Sequence, residues 1–120
     1  MNIQREQMPQ HAIESYTQNM IQIAGTQYHE NVLVFTQSMI SPWTHEYAWE
    51  MWQQVLPSQI EVLIVGHCNP VTIPMGFREK LAARRIGMEA MNLGSACRTF
   101  NLLLAEGRAV GGLFLLNNEG

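Results

Sequence analysis

The spacing of apolar and polar residues changes several times along the chain, and each change marks an element. In Ser15–Ile23 (SYTQNMIQI) apolar residues recur at roughly alternate positions, as in a half-buried strand. Ala24-Gly25-Thr26 reads as a turn, with a second strand running on through Tyr28. Asn31–Thr36 (NVLVFT) is a continuous β-branched and aromatic run and predicts a buried strand. Ser41-Pro42 interrupts the pattern. A helix is expected from near Thr44, with Tyr47, Ala48, Met51, Trp52 and Val55 along one face and Pro57 as its stop. Glu61–Gly66 (EVLIVG) places four branched aliphatics before a glycine, the mark of a parallel strand covered on both faces. A second helix is predicted from about Met75 to Arg85, with Arg78, Glu79, Arg84 and Arg85 in solvent. Ile86–Leu93 alternates again and reads as a strand. Gly94-Ser95 then turns into a third helix, with Ser95 as its N-cap, Ala96, Phe100, Leu103 and Leu104 as its buried stripe, and Gly107 as its end. Arg108–Leu116 (RAVGGLFLL) is a final strand in which Gly111-Gly112 marks a bulge or a close backbone approach.

The order ββ(β)-α-β-α-β-α-β predicts an α/β fold: a single compact domain with a mixed sheet, N-terminal antiparallel strands, C-terminal βαβ units and about three helices. The polar residues 1–10 are expected to form a flexible N-terminal arm, and 11–120 the domain. Composition narrows the function. With 47% hydrophobic and 14% charged residues the chain is not a disordered one. A net charge of −3 with seven Lys+Arg argues against a nucleic-acid partner. No apolar run reaches the roughly 20 residues that cross a bilayer, and Met1–His11 holds no apolar leader, so a cytoplasmic chain without membrane insertion is expected. Two cysteines, Cys68 and Cys97, are too few for a disulfide scaffold. All ten acidic residues are Glu, which excludes Ser-His-Asp triads, EF-hands and Asp-based magnesium sites within this chain.

Ligands of open α/β sheets sit beyond the carboxyl ends of parallel strands. Two loops leave such ends: Gly66-His67-Cys68-Asn69, and Leu93 to Thr99. If their strands are neighbours, both cysteines belong to one end of the sheet. Cys97 admits two readings. In the first turn of a helix beside Arg98 it is a nucleophilic or redox-sensitive thiolate; otherwise it is a small buried side chain under the sheet. Ser95 and Arg98 could likewise hold an anion at a helix N-terminus, or Arg98 could pair with a Glu. His67 and Cys68 are adjacent on a strand and point to opposite faces, and no CxxC or HxxxH spacing is present, so no metal is expected. His11, His29 and His45 are expected in solvent, as are Glu46 and Glu50; Glu89 faces solvent or pairs with an Arg. Trp43 and Trp49 form a candidate aromatic interaction surface, or belong to a helix docking on the sheet.

Three pieces of the chain carry a resemblance: Val62-Leu63-Ile64-Val65-Gly66, Gly94-Ser95-Ala96-Cys97-Arg98-Thr99-Phe100-Asn101, and Glu106-Gly107-Arg108. Together they resemble the adipogenesis-associated Mth-domain family, which includes a mitochondrial respiratory complex I assembly factor and many small uncharacterised bacterial proteins. Family members more often have Thr or Ser with Gly, then basic residues, where this chain has His67-Cys68. The resemblance implies one compact α/β domain with a mixed sheet, no family-wide catalytic activity, and another protein as partner. The expected function is a non-catalytic protein-interaction or assembly-factor module without cofactors. The alternative is a small-ligand-binding or thiol enzyme using Cys97, with Arg98 as anion anchor and His67 as the local base. The residues on which either reading draws are Gly66, His67, Cys68, Gly94, Ser95, Cys97, Arg98, Thr99 and Asn101.

Overall fold

The structure of the protein, a computed structural model, describes residues 11–35, 40–43 (backbone), 49, 59–69 and 71–116. Its elements are β1 (Ile13–Thr17), β2 (Met20–Ile23), β3 (Thr26–Tyr28), β4 (Asn31–Phe35), β5 (Ile40–Trp43), β6 (Val62–His67), α1 (Met75–Ala83), β7 (Gly87–Asn92), α2 (Leu93–Ala105) and β8 (Val110–Leu115). The first three strands form an antiparallel sheet. The other five form a mixed sheet in the order β5-β4-β8-β6-β7. There β6 runs parallel to both β7 and β8, while β4 runs antiparallel to β5 and β8. The α/β class, the N-terminal antiparallel strands and the parallel strand–helix–strand unit β6–α1–β7 are as the sequence pattern predicts.

The continuous apolar runs of β4, β6 and β8 follow from coverage of the mixed sheet on both faces. On one face Val32, Val34, Ile64 and Phe114 meet α2 through Ala96, Cys97, Phe100 and Leu104, together with Ile13, Ile21 and Ile23 of the small sheet. On the other face Leu33, Phe35, Leu63, Val65, Leu113 and Leu115 meet α1 through Phe77 and Leu81. Successive residues of each strand supply the two cores in turn, as a side-chain period of two requires. The Gly111-Gly112 pair lies in continuous register with its neighbours, so it marks a close approach and not a bulge. A Cβ on Gly112 would stand 2.5 Å from Phe114 and 2.9 Å from Phe100. The two Phe rings pack edge to face at 5.5 Å over that bare backbone.

Several expectations need correction. SYTQNMIQI is not one strand: Gln18-Asn19 reverse the chain between β1 and β2, with Thr17 Oγ1 accepting from the Asn19 N–H at 3.2 Å. Ser41-Pro42 lies within β5, where Pro42 pairs opposite Val32. That strand is the last in its sheet, and an edge tolerates the missing proline donor. His11 is buried, and its Nδ1–H donates to the Phe35 carbonyl at 2.6 Å. It satisfies the end of β4 where solvent would otherwise be needed. Among the described residues there are two complete helices. The helix expected from Thr44 lies outside them except at Trp49, which is helical. The arm at residues 1–10, His45, Glu46 and Glu50 also lie outside them.

The two sheets are tied through α2. Asn101 accepts from the Ile13 N–H at 2.7 Å and donates to the Ile13 carbonyl at 2.9 Å, clamping both backbone groups of one β1 residue. Replacing Asn101 with Ala should cost about 2–3 kcal/mol, because two partly buried hydrogen bonds go and two backbone groups lose their partners. Urea unfolding checks this, and a loss under 1 kcal/mol would show the clamp to be dispensable.

Candidate functional site

The carboxyl ends of β6 and β7 are adjacent, with His67 paired to Asn92, so the loops after them share one end of the sheet. Helix α2 begins immediately, at Leu93, and its N-cap is Asn92, whose Oδ1 accepts from the Ser95 N–H at 2.9 Å. Ser95 is therefore the third helical residue and not the cap, because the asparagine two residues before the Gly-Ser pair already supplies the acceptor. Gly66 is buried against this helix. A Cβ there would lie 2.6 Å from the Ala96 Cβ and 3.5 Å from the Leu93 Cα, so the residue permits close helix–strand contact and presents no surface.

Above that contact is an open cleft of about 340 Å³, lined by Tyr16, Thr17 and Gln18 of the β1–β2 hairpin, His67 at the end of β6 and Cys68 after it, and Asn92, Leu93 and Gly94 at the start of α2. The Cys68 thiol donates to the Gln18 carbonyl at 3.4 Å, closing hairpin onto sheet. Tyr16 is 41% exposed, and its hydroxyl lies 2.8 Å from where a Gly94 Cβ would stand. Arg98 reaches the same place: Nη1 is 3.4 Å from that point, and Nη2 donates to Ser95 Oγ at 3.3 Å. Phenol and guanidinium thus converge over a glycine at the cleft rim. Among the described residues the lining offers donors and dipoles and no carboxylate.

The remaining candidates are placed elsewhere. Cys97 is 2% exposed and sits among the core residues as the fifth residue of α2, past the turn where the helix end exerts its field. Burial pushes its thiol up from 9.0 to about 12, against a smaller lowering by Arg98 and a further raising by Cys68. The structure places Cys97 as a buried core side chain, where burial disfavours the thiolate. Thr99 donates to Met91 Sδ at 3.5 Å, and Asn101 is the clamp on β1. Trp49 is half-buried against Phe77, ring centroids 4.9 Å apart at 64°, on the face of the sheet away from the cleft. The Trp43 side chain lies outside the described residues. Glu89 and His29 are exposed. Gly107 takes φ +78° and ends α2, and Arg108 pairs with Glu61 at 3.0 Å in solvent. Among the described residues no three His, Cys, Asp or Glu side chains are placed to hold a metal, and no helix is long and apolar enough to cross a membrane.

Sequence reasoning missed the hairpin's share of the cleft, Tyr16 to Gln18. The polar pair Gln18-Asn19, breaking an otherwise alternating run, was the available signal for a turn.

The fold and cleft define a small two-sheet α/β domain with an open crevice at a parallel-strand end. The chain belongs to the family of proteins of unknown function called DUF498/DUF598, whose model matches residues 13–115. An uncharacterised protein of Rhodobacter capsulatus is 30% identical over 104 residues, spanning 86% of this chain and 82% of that one. The crystal structure of a Bartonella henselae protein, described as an outer membrane protein, superimposes with a TM-score of 0.78 at 31% identity, covering 91% of this chain and 98% of that one. The solution structure of a Bordetella pertussis protein, described as a Mth938-like domain, gives 0.75 at 20% identity, over 89% and 86% of the two chains, and shares the fold.

The raised Cys97 pKa carries a sign. The thiol is neutral in the folded state up to about pH 12, whereas the unfolded thiol ionises near 9.0. Its contribution to stability is complete below about pH 9 and is lost as pH rises towards 12. Wild type should lose more stability than Cys97→Ala between pH 8 and 10.5 in denaturant titrations, and equal losses would show an ordinary thiol.

Proposed function

We propose that this protein is a protein-interaction module of the assembly-factor kind, with no covalent chemistry of its own, which holds a segment of a partner protein in the cleft at the end of β6 and β7. The observation that carries the reading is the convergence of Tyr16 and Arg98 over Gly94. Tyrosine and arginine dominate the energetics of protein interfaces, because each combines a flat apolar surface with donors. The hairpin wall adds the Gln18 turn, the helix wall the first turn of α2, and the lining leaves an arginine-anchored segment unopposed by carboxylates. The resemblance to a family that contains a respiratory complex I assembly factor supports the same class of role. The bacterial relatives support a bacterial chain, and two cysteines that form no disulfide suit a reducing, cytoplasmic setting.

A second reading has its own support: donors without carboxylates also suit a small anion, with Arg98 as anchor. It needs no Cys97 chemistry.

Tagged wild type, Tyr16→Ala and Arg98→Ala, purified from the native source after cell fractionation, separate the readings. Both residues are exposed, so each substitution should leave stability within about 0.5 kcal/mol. A cytosolic partner captured by wild type and lost from both variants is the expected result. Recovery of the protein with membranes would remove the cytoplasmic assignment. Capture that both variants retain would remove the cleft from the interaction, and a melting-temperature rise with phosphate or citrate, absent in Arg98→Ala, would favour the small anion.

A further inference from the structure

The two helices end in the same hydrogen-bonded motif with different residues at the left-handed position. At the end of α2, Gly107 (φ +78°) donates to Leu104 O at 3.0 Å and Arg108 to Leu103 O at 3.1 Å. At the end of α1, Arg85 (φ +60°) donates to Ala82 O at 3.0 Å and Ile86 to Leu81 O at 2.9 Å. Glycine fits this position without strain, and a residue with a Cβ does not. Lys80 in the last turn of α1 and Arg84 at its C-cap stand four apart, a spacing at which like charges repel. A helix end favours a cation, yet α2 has no basic residue in its last turn. The end of α2 shows that this kind of helix termination forms without a basic residue. Three cations are kept at the end of α1 against two local penalties.

The cluster also concentrates the charge of the chain. Residues 75–85 hold four cations and one carboxylate, a net +3, whereas the rest holds three cations and nine carboxylates, a net −6. Arg78, Lys80, Arg84 and Arg85 are all exposed. Neither Lys80 nor Arg85 enters an ion pair among the described residues. Since α1 covers the sheet face opposite α2, the cluster is remote from the cleft and independent of it.

We propose that Lys80, Arg84 and Arg85 form a docking site for a short acidic segment of a protein partner. Guanidinium groups take carboxylates in pairs of parallel hydrogen bonds, which gives a peptide carboxylate a geometric match that bulk solvent lacks. A lipid surface or a duplex extends beyond the cluster and brings its negative charge against the other described residues, where two cations and five carboxylates leave a net −3. A short acidic peptide touches the cluster alone, so charge complementarity selects it.

The test uses fluorescein-labelled hexaglutamate, with hexaglutamine as control, in fluorescence anisotropy at 50 mM salt. Hexaglutamate should bind and hexaglutamine should not. Lys80→Glu and Arg84→Glu should each weaken binding about tenfold, with Arg84→Gln as the milder replacement should the reversal unfold the helix. Arg85→Gly should weaken binding about threefold while raising the melting temperature by about 3–5 °C, since it removes the charge and the backbone strain together. Arg98→Ala should bind as wild type does, so that failure at the cleft and failure here are read separately. The proposal is overturned by absent binding, or by affinity unchanged in the α1 variants. It is equally overturned by tighter binding to vesicles of 30% phosphatidylglycerol or to a 20-base-pair duplex, or by a self-association that Arg84→Glu dissolves.

Discussion

The contact between Gly66 on β6 and Ala96 on α2 sets the position of nearly everything that matters in this molecule. Because neither residue carries more than a methyl group, the helix lies close against the sheet. That closeness brings the start of α2 to the level of the β6 terminus, where Asn92 caps it without a connecting loop. It also seats Cys97 and Phe100 in the core and turns Asn101 towards β1. The small sheet is then held by the helix, and the crevice at the strand ends is the space left where hairpin, strand and helix fail to meet.

A consequence is that the residues of the VLIVG and GSACRTFN runs are largely architectural. Gly66, Cys97, Thr99 and Asn101 each solve a packing or hydrogen-bonding problem at the interface of α2 with its two sheets. Gly107 turns the chain at the helix end, and Arg108 makes a solvent-exposed pair of the kind that contributes little to stability. A recognisable string of residues therefore reports a way of building the domain. The exposed groups at the cleft rim, Tyr16 and Arg98, are one outside the string and one on its solvent side.

That division explains what could be read from the chain. EVLIVG announced a strand buried on both faces because four aliphatics in a row leave no polar side, and β6 is such a strand. That the loops after β6 and β7 share one end of the sheet follows from β6 and β7 being parallel neighbours, the condition on which the pattern reading depended, yet Cys97 lies buried in the core beneath that end. Local chemistry decided the failures. Asn92 outcompeted Ser95 as cap because of where β7 ends, and no periodicity carries that information. His11 was read as a solvated side chain because nothing nearby in sequence reveals the Phe35 carbonyl, 24 residues on, that it satisfies. The cleft was legible only on two of its sides. Its third wall comes from a hairpin whose turn is marked in the sequence only by the polar pair Gln18-Asn19, and from contacts some 50 residues apart along the chain.

The position of β8 bears on how the domain comes into being on the ribosome. This strand, residues 110–115, lies in the middle of the mixed sheet, between β4 and β6. Until it has emerged, β4 with β5 and β6 with β7 are two separate strand pairs, each with a bare inner edge and apolar faces that only β8 can join. Such edges invite pairing with other chains. Nascent copies of this protein therefore expose these inner edges until β8 is inserted between them.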